Sequence, residues 1–232
     1  MRAFELALEE GADALELDVH ATADGIPVVI HDPSLVRTTG IPGIVAALSL
    51  DQIREADAGA QFSTDGGQTF PWRGQGIRVP TLAEVLAAFP DVPCIVEIKS
   101  RAASEAVRRT ILEQGAADRC IMMSFDAAAL EPFREPPWLT GASNDDAQRL
   151  LVRALTGRSI GDVGYVLLSL PEYYRGWPIP LGLVASAARR KGRPVHVWQV
   201  DSAERARRLW RKGVAGIVTN YPSEIRTARD AG

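Results

Sequence analysis

The sequence predicts an α/β fold whose parallel strands close into a β/α barrel. Three observations lead there. A helix–Gly–strand phrase recurs along the chain, most strands are continuously apolar, and polar residues gather at the strands' carboxyl ends. The 232 residues suffice for one sizeable domain and are too few for two enzyme-sized ones. A hydrophobic fraction of 46% with 24% charged residues is ordinary globular composition. Lys and Arg total 26 against 29 for Asp and Glu, so the overall charge gives no sign of a polyanion-binding surface.

The elements follow in order. FELALEEG has apolar residues at helical spacing and ends at Gly11, and LELDV follows as a strand. The short apolar run VVI is stopped by Pro33. TLAEVLAAF reads as a helix and CIVEIK as a strand buried on both faces. The phrase returns in EAVRRTILEQG, with Gly115 at the helix end, followed by the strand CIMMSF. WLTGAS is a weaker strand, VGYVLLSL a stronger one, and PLGLVASAARRKG an amphipathic helix before the strand PVHVWQV. ERARRLWRKG, ending at Gly213, and GIVTN close the series. Leaving out VVI, the strands from LELDV to GIVTN number seven. No glycine-rich nucleotide fingerprint accompanies any of them, and STDGGQTFPWRGQG reads as a loop whose Phe62, Phe70 and Trp72 either cover the mouth of the site or pack onto the barrel, packing being preferred.

Cys94 and Cys120 lie inside apolar runs, with neither disulfide nor CxxC spacing, and read as buried free thiols. The start MRAFELALEEG carries acidic residues and lacks the layout of a secretory leader. No stretch reaches the about 20 apolar residues of a membrane span. These features predict a soluble, cytoplasmic chain without stable membrane insertion or a nucleic-acid partner.

The strand ends carry the chemistry. Glu16 and Asp18 are two apart, so both carboxylates leave the same side of their strand, and Glu97 supplies a third at the end of CIVEIK. Three oxygen donors suit a hard divalent cation, Mg²⁺ or Ca²⁺, and fit Zn²⁺ poorly. Lys99, on the face of Glu97, neutralises either a carboxylate or a substrate phosphate, so spacing alone leaves a metal site and a structural ion-pair network equally open. His31 follows VVI and precedes a long loop; histidine's ordinary titration near neutral pH suits it to general acid–base work. His20 reads as mainly structural, and His196 is left undecided. Arg37 either reaches an anion or caps the loop.

The run GADALELDVHATADGIPVVIHDPSLVRTTG resembles the signature of the glycerophosphodiester phosphodiesterase family. IRVPTLAEVL, VEIKS, MSFD, HVWQVD and GVAGIVTNYP are further matches, so the resemblance runs nearly the whole length. It implies a TIM-barrel-like (β/α)8 fold with a small insertion at residues 40–78, and metal-dependent hydrolysis of glycerophosphodiesters to an alcohol and glycerol 3-phosphate. By position it makes Glu16, Asp18 and Glu97 the ligands of a divalent cation, Mg²⁺ or Ca²⁺, His31 one of two catalytic histidines, and Lys99 the phosphate-side lysine. Trp198 matches an aromatic near the end of the seventh strand, placed to pack on the glycerol moiety or simply in the core. Ser124 and Phe125 match rim positions, and Asn220 stands where the family more often has Asp.

The family's opening His-Arg-Gly strand and the Pro-Glu-Asn-Thr segment have no counterpart here. The expectation is therefore an N-terminally incomplete barrel, 1–232, without the first strand, the second histidine and a phosphate-binding arginine. The mechanism implied for a full family site is attack of the glycerol 2-hydroxyl on phosphorus. One histidine takes its proton, the other protonates the departing alkoxide, and water then opens the cyclic phosphate with the roles reversed. Alternatives are an inactive binding or structural protein and a lysophospholipid-directed phosphodiesterase or lyase, the latter revealed by release of cyclic phosphate.

Overall fold

Each expected strand segment contains a strand, although VGYVLLSL forms one only from Leu168 onward, and the ladders fix which residues share a face. A computed structural model describes residues 1–156, 158, 161 and 163–231. It falls into two compact units, Met1–Glu5 with Leu15–Trp138 and Leu6–Ala14 with Leu139–Gly232. The opening helix, α1 (Arg2–Glu9), matches FELALEEG, and Gly11 leaves it at φ 88°, a left-handed turn that glycine enters without steric cost.

The first unit is organised on β1 (Leu15–Ala21). Along β1, Leu15, Leu17 and Val19 are buried while Glu16, Asp18 and His20 lie on the other, more open face. The strand extends past LELDV, so His20 belongs to the ladder rather than following it. β2 (Pro27–Val29), which takes in Val28 and Val29 of the VVI run, pairs antiparallel with β1, Val19 opposite Val29. The TADG turn between them is tied locally: the Ile26 N–H donates to Thr22 Oγ1, and Gly25 takes φ 76°. Asp24 accepts from the Thr22 hydroxyl and from the Leu50 N–H, joining this turn to a later helix.

Three short helices follow, α2 (Val36–Thr39), α3 (Leu50–Arg54) and α4 (Leu82–Ala88). Ser49 with Gln52 and Thr81 with Glu84 form capping boxes on α3 and α4, each satisfying two otherwise unpaired N–H groups. β3 (Cys94–Ile98) lies parallel to β1, with Asp18 opposite Glu97. α5 (Ser104–Glu113) leads to β4 (Cys120–Met123), parallel to β3. Cys94 and Cys120 are buried free thiols opposite one another across that ladder. Val28, Ile30, Leu35, Val45, Ile53, Ala56 and Val79 form a satellite core beneath the loops that follow β2. Phe70 and Trp72 of the polar loop are half-buried, with the Arg73 guanidinium 3.8 Å above the Phe70 ring, whereas Phe62 is 49% exposed and does not pack as expected.

The second unit holds β5 (Leu139–Thr140), α6 (Asn144–Leu155), β6 (Leu168–Pro171), the hairpin β7 (Tyr173–Tyr174) and β8 (Trp177–Pro178), and α7 (Leu181–Arg189). It continues with β9 (Val195–Trp198), α8 (Ala203–Arg211), β10 (Gly216–Ile217) and α9 (Pro222–Asp230). A parallel bridge joins Gly141 to Leu167, and β6, β9 and β10 pair parallel in that order. Its core includes Leu168, Leu181, Val184, Val195, Val197 and Leu209. GIVTN forms ladder pairs only at Gly216 and Ile217, because Val218 and the residues after it turn toward the loop that follows β9. Among the described residues, no helix is long and apolar enough to cross a membrane.

Candidate active site

Two adjacent strands build the acidic centre. Because β1 and β3 pair Asp18 with Glu97, and Glu16 sits two residues before Asp18, three carboxylates leave one face of one ladder. One oxygen from each lies within 4.8 Å of the others. The Lys99 ammonium closes the group, 2.7 Å from Asp18 Oδ1 and 2.6 Å from Glu97 Oε1. Burial acts against its charge, but the hydrogen bonds to Asp18 and Glu97 prevail and raise its pKa. Glu16 lacks that direct bond. Burial first, then the charges of Asp18 and Glu97, push its carboxyl up to about 8. Three half-buried carboxylates served by one ammonium carry an excess of negative charge, and a hard divalent cation with oxygen ligands relieves it. The donor set therefore fits the cation expected from the sequence.

β2 runs beside β1 and leads directly to His31. The Ile30 N–H donates to the Asp18 carbonyl at 3.0 Å, so His31 is the next residue after one tied to the carboxylate-bearing strand β1. The His31 carbonyl accepts from His20 Nε2 at 3.2 Å, which gives His20 a structural role on the site face of β1. His31 Nδ1 lies 2.7 Å from Asp32 Oδ1, and its side chain is 66% exposed. An imidazole that donates Nδ1–H to a carboxylate keeps Nε2 as its proton-accepting nitrogen.

Arg37 clamps Asp32 in turn, Nε to Oδ2 at 2.5 Å and Nη2 to Oδ1 at 3.1 Å. These bonds from Arg37 and His31 hold the Asp32 carboxyl down near 2. Asp32 is the residue whose part the sequence reading missed; its signal is the His-Asp dipeptide itself. At the end of β4, the buried Ser124 hydroxyl donates to the Ile98 carbonyl, fixing the turn after β3. The Phe125 ring, 49% exposed, lies 5.9 Å from Lys99 Nζ, a rim position beside the acidic group.

Trp198 belongs to the second unit, at the carboxyl end of β9 opposite Pro171. His196 shares its strand, with burial lowering the imidazole pKa and the ring lying across Gly216, where an added Cβ would come within 2.5 Å of Cδ2. Asn220 is held by Asp201, its N–H to Oδ1 at 2.8 Å and its Nδ2 to Oδ2 at 3.1 Å. Gln199 Nε2 and the Thr219 hydroxyl bond to the same carboxylate, so Asp201 ties together the loops after β9 and β10.

An α/β fold with three converging carboxylates, a lysine bonded to two of them and an exposed histidine is the geometry that the family comparison then places. The model of the glycerophosphoryl diester phosphodiesterase family matches residues 1–224, and the chain belongs to that family. It is 30% identical over 233 residues to the glycerophosphodiester phosphodiesterase of Caldanaerobacter subterraneus subsp. tengcongensis, spanning 96% of this chain and 88% of that one. Among solved structures it resembles the glycerophosphoryl diester phosphodiesterase domain of a Mycobacterium tuberculosis protein, with a TM-score of 0.84 at 20% identity, covering 99% of this chain and 92% of that one. An Oleispira antarctica phosphodiesterase, solved with the product sn-glycerol-3-phosphate, gives a TM-score of 0.76 at 22% identity over 98% of this chain and 90% of that one. These likenesses relate the fold to the family's (β/α)8-type barrel.

Proposed function

We propose that the chain hydrolyses glycerophosphodiesters to an alcohol and glycerol 3-phosphate at the face of β1 and β3, using a divalent cation, Mg²⁺ or Ca²⁺. The observation that carries this reading is the convergence of Glu16, Asp18 and Glu97 within 4.8 Å, with Lys99 bonded to two of them. Glu16, Asp18 and Glu97 hold the cation, which when bound supplies Lewis-acid polarisation of a phosphoryl oxygen. Lys99 neutralises charge growing on the phosphoryl oxygens. His31 transfers a proton through Nε2 while Asp32 fixes its Nδ1–H, and Arg37 acts through Asp32, holding that carboxylate in place. Trp198, at the end of β9, is given the glycerol-packing role that its match to the family pattern implies. Sn-glycerol-3-phosphate is the product bound to the Oleispira antarctica phosphodiesterase, and this reading assigns the same product here.

The test is incubation of the 232-residue chain with glycerophosphocholine or glycerophosphoethanolamine and Mg²⁺ or Ca²⁺, reading released glycerol 3-phosphate. Turnover that stops with a chelator and with His31→Ala supports the reading. Turnover unaffected by His31→Ala, or none with any divalent cation, overturns it. Cyclic phosphate as the final product would reassign the chain to lyase chemistry.

A further inference from the structure

The exposed β7–β8 hairpin contains none of the residues assigned to that chemistry. Tyr173, Tyr174 and Trp177 are 61%, 44% and 78% exposed, three large aromatic side chains within five residues. Tyr174 and Trp177 are direct cross-strand partners, so they stand on one face of the ribbon, and Tyr173 opposite Pro178 lies on the other. The turn is Arg175–Gly176, with φ 50° and 83°, the left-handed pair of a tight two-residue hairpin. Asn or Gly would enter the first position more cheaply than a long side chain. Arg175 is the one non-glycine residue with positive φ among those described, and it places a guanidinium at the tip, 5.5 Å from the Tyr174 ring.

Charge is distributed to match. The overall balance of -3 conceals a division, because residues 139–232 contain 15 Lys and Arg against 8 Asp and Glu, while residues 1–138 contain 11 against 21. At the root of the hairpin, Glu172 is nearly buried and receives Arg205 Nη2 at 2.6 Å, with Arg208 3.9 Å away. One carboxylate thus faces two arginines whose side chains remain 42% and 46% exposed. The hairpin extends from the carboxyl end of β6, where Pro171 is the neighbour of Trp198, so it lies at the end of this sheet that bears Trp198.

We infer that the β7–β8 hairpin docks the protein on an anionic phospholipid surface. Trp and Tyr rings, apolar in body with a polar edge, settle at the headgroup level of a bilayer, and basic side chains add attraction to anionic headgroups. Interfacial binding strengthens with the apolar area buried and with attraction to anionic lipids, and this segment offers both. An acidic protein partner would use the basic residues, but it would not call for three exposed amphipathic rings flanking a cationic tip. The contact is peripheral and needs no spanning segment.

Sedimentation of the full chain with vesicles of phosphatidylcholine alone, or mixed with phosphatidylglycerol, tests this directly. Binding should appear with the anionic vesicles at low salt and weaken as salt rises. Tyr174→Ala combined with Trp177→Ala should weaken it by about tenfold or more. Arg175→Glu should weaken it about thirtyfold, the effect of reversing one charge at an anionic surface. Circular dichroism melting of the variants confirms that the fold survives, and hydrolysis of a soluble diester is a separate readout that the hairpin changes should leave unaltered. A chain that stays in the supernatant with anionic vesicles, or a Tyr174→Ala/Trp177→Ala variant that sediments like the parent, overturns the inference.

Discussion

The Lys99 ammonium sits 2.7 Å from the Asp18 carboxylate, and the two side chains are only 17% and 16% exposed. Removing one partner from a half-buried ion pair leaves the other uncompensated. Lys99→Met should therefore destabilise the cation-free protein, and added Mg²⁺ or Ca²⁺ should restore most of the loss by taking over the neutralising role. Under the proposed function the same variant should lose about 10²-fold in kcat, because the ammonium assigned to the phosphoryl oxygens is gone. Cation affinity should not fall, since no ligand oxygen has been removed. Titration calorimetry beside steady-state kinetics separates these effects.

His31 and Asp32 act as a unit in this geometry, so their substitutions should not be additive. His31→Ala should cost about 10²–10⁴-fold in kcat. Asp32→Ala should cost about 10²-fold, because the imidazole remains but loses the acceptor that fixes its Nδ1–H. The double variant should be no slower than His31→Ala alone. Kinetics of the three variants against a soluble diester check this.

Asp32 also predicts a pH dependence of folding. Its carboxyl is pulled down to about 2 from an ordinary 3.8, chiefly by the hydrogen bonds from Arg37 and His31. A depressed acid adds stability above its unfolded value, and that contribution disappears as pH falls through the folded value. Relative to Asp32→Asn, the native chain should hold a constant advantage above about pH 5 that shrinks between about pH 4 and 2. Urea melts of both proteins across that range measure the gap.

The parts of this architecture legible in the sequence were those encoded locally. Glu16 and Asp18 alternate with Leu15, Leu17 and Val19, so one face could be read from the spacing, and the β1 burial pattern follows it. Helix ends were marked by Gly11, Gly115 and Gly213, all with positive φ. Long-range partnerships were not legible. Asp201 and Asn220 are 19 residues apart, and nothing at either position announces the other. The antiparallel pairing of β2 on β1 was hidden because VVI is three residues long and apolar, a pattern that fits either direction. The β7–β8 hairpin escaped because its turn is Arg-Gly rather than Asn-Gly or Asp-Gly. Ser143 with Asp146 caps α6 by a box whose acid is Asp, one carbon shorter than the usual Glu or Gln.

The Asn220–Asp201 contact explains why Asn suits this position. Its amide donates to a carboxylate that already accepts from the Asn220 N–H, the Thr219 hydroxyl and Gln199. Asn220→Asp would replace a donor with a second negative charge. The expected loss is about 1 kcal/mol at neutral pH and low salt, smaller at high salt because the site is exposed to solvent. Thermal melts at two ionic strengths test it.

Glu16 separates metal binding from structural ion pairing. In a purely structural network, the carboxyl that Lys99 does not bond would be expendable, and Glu16→Gln would leave every response to cations unchanged. In a metal centre, Glu16→Gln removes one of three anionic donors while relieving the repulsion that Asp18 and Glu97 impose on it. The variant should then equal or exceed the native chain in stability without cation. A ligand bound only by the folded state stabilises it in proportion to the logarithm of its concentration, by about 2.7 kcal/mol at a hundredfold excess over Kd. The native chain should show that gain with Mg²⁺ or Ca²⁺, whereas Glu16→Gln should require much higher cation concentrations for the same shift. Asp18→Asn and Glu97→Gln should behave alike in this respect. They should also be weaker than Glu16→Gln in the cation-free state, because each removes a bond to Lys99. Thermal shifts across a cation titration of the four proteins distinguish the two arrangements.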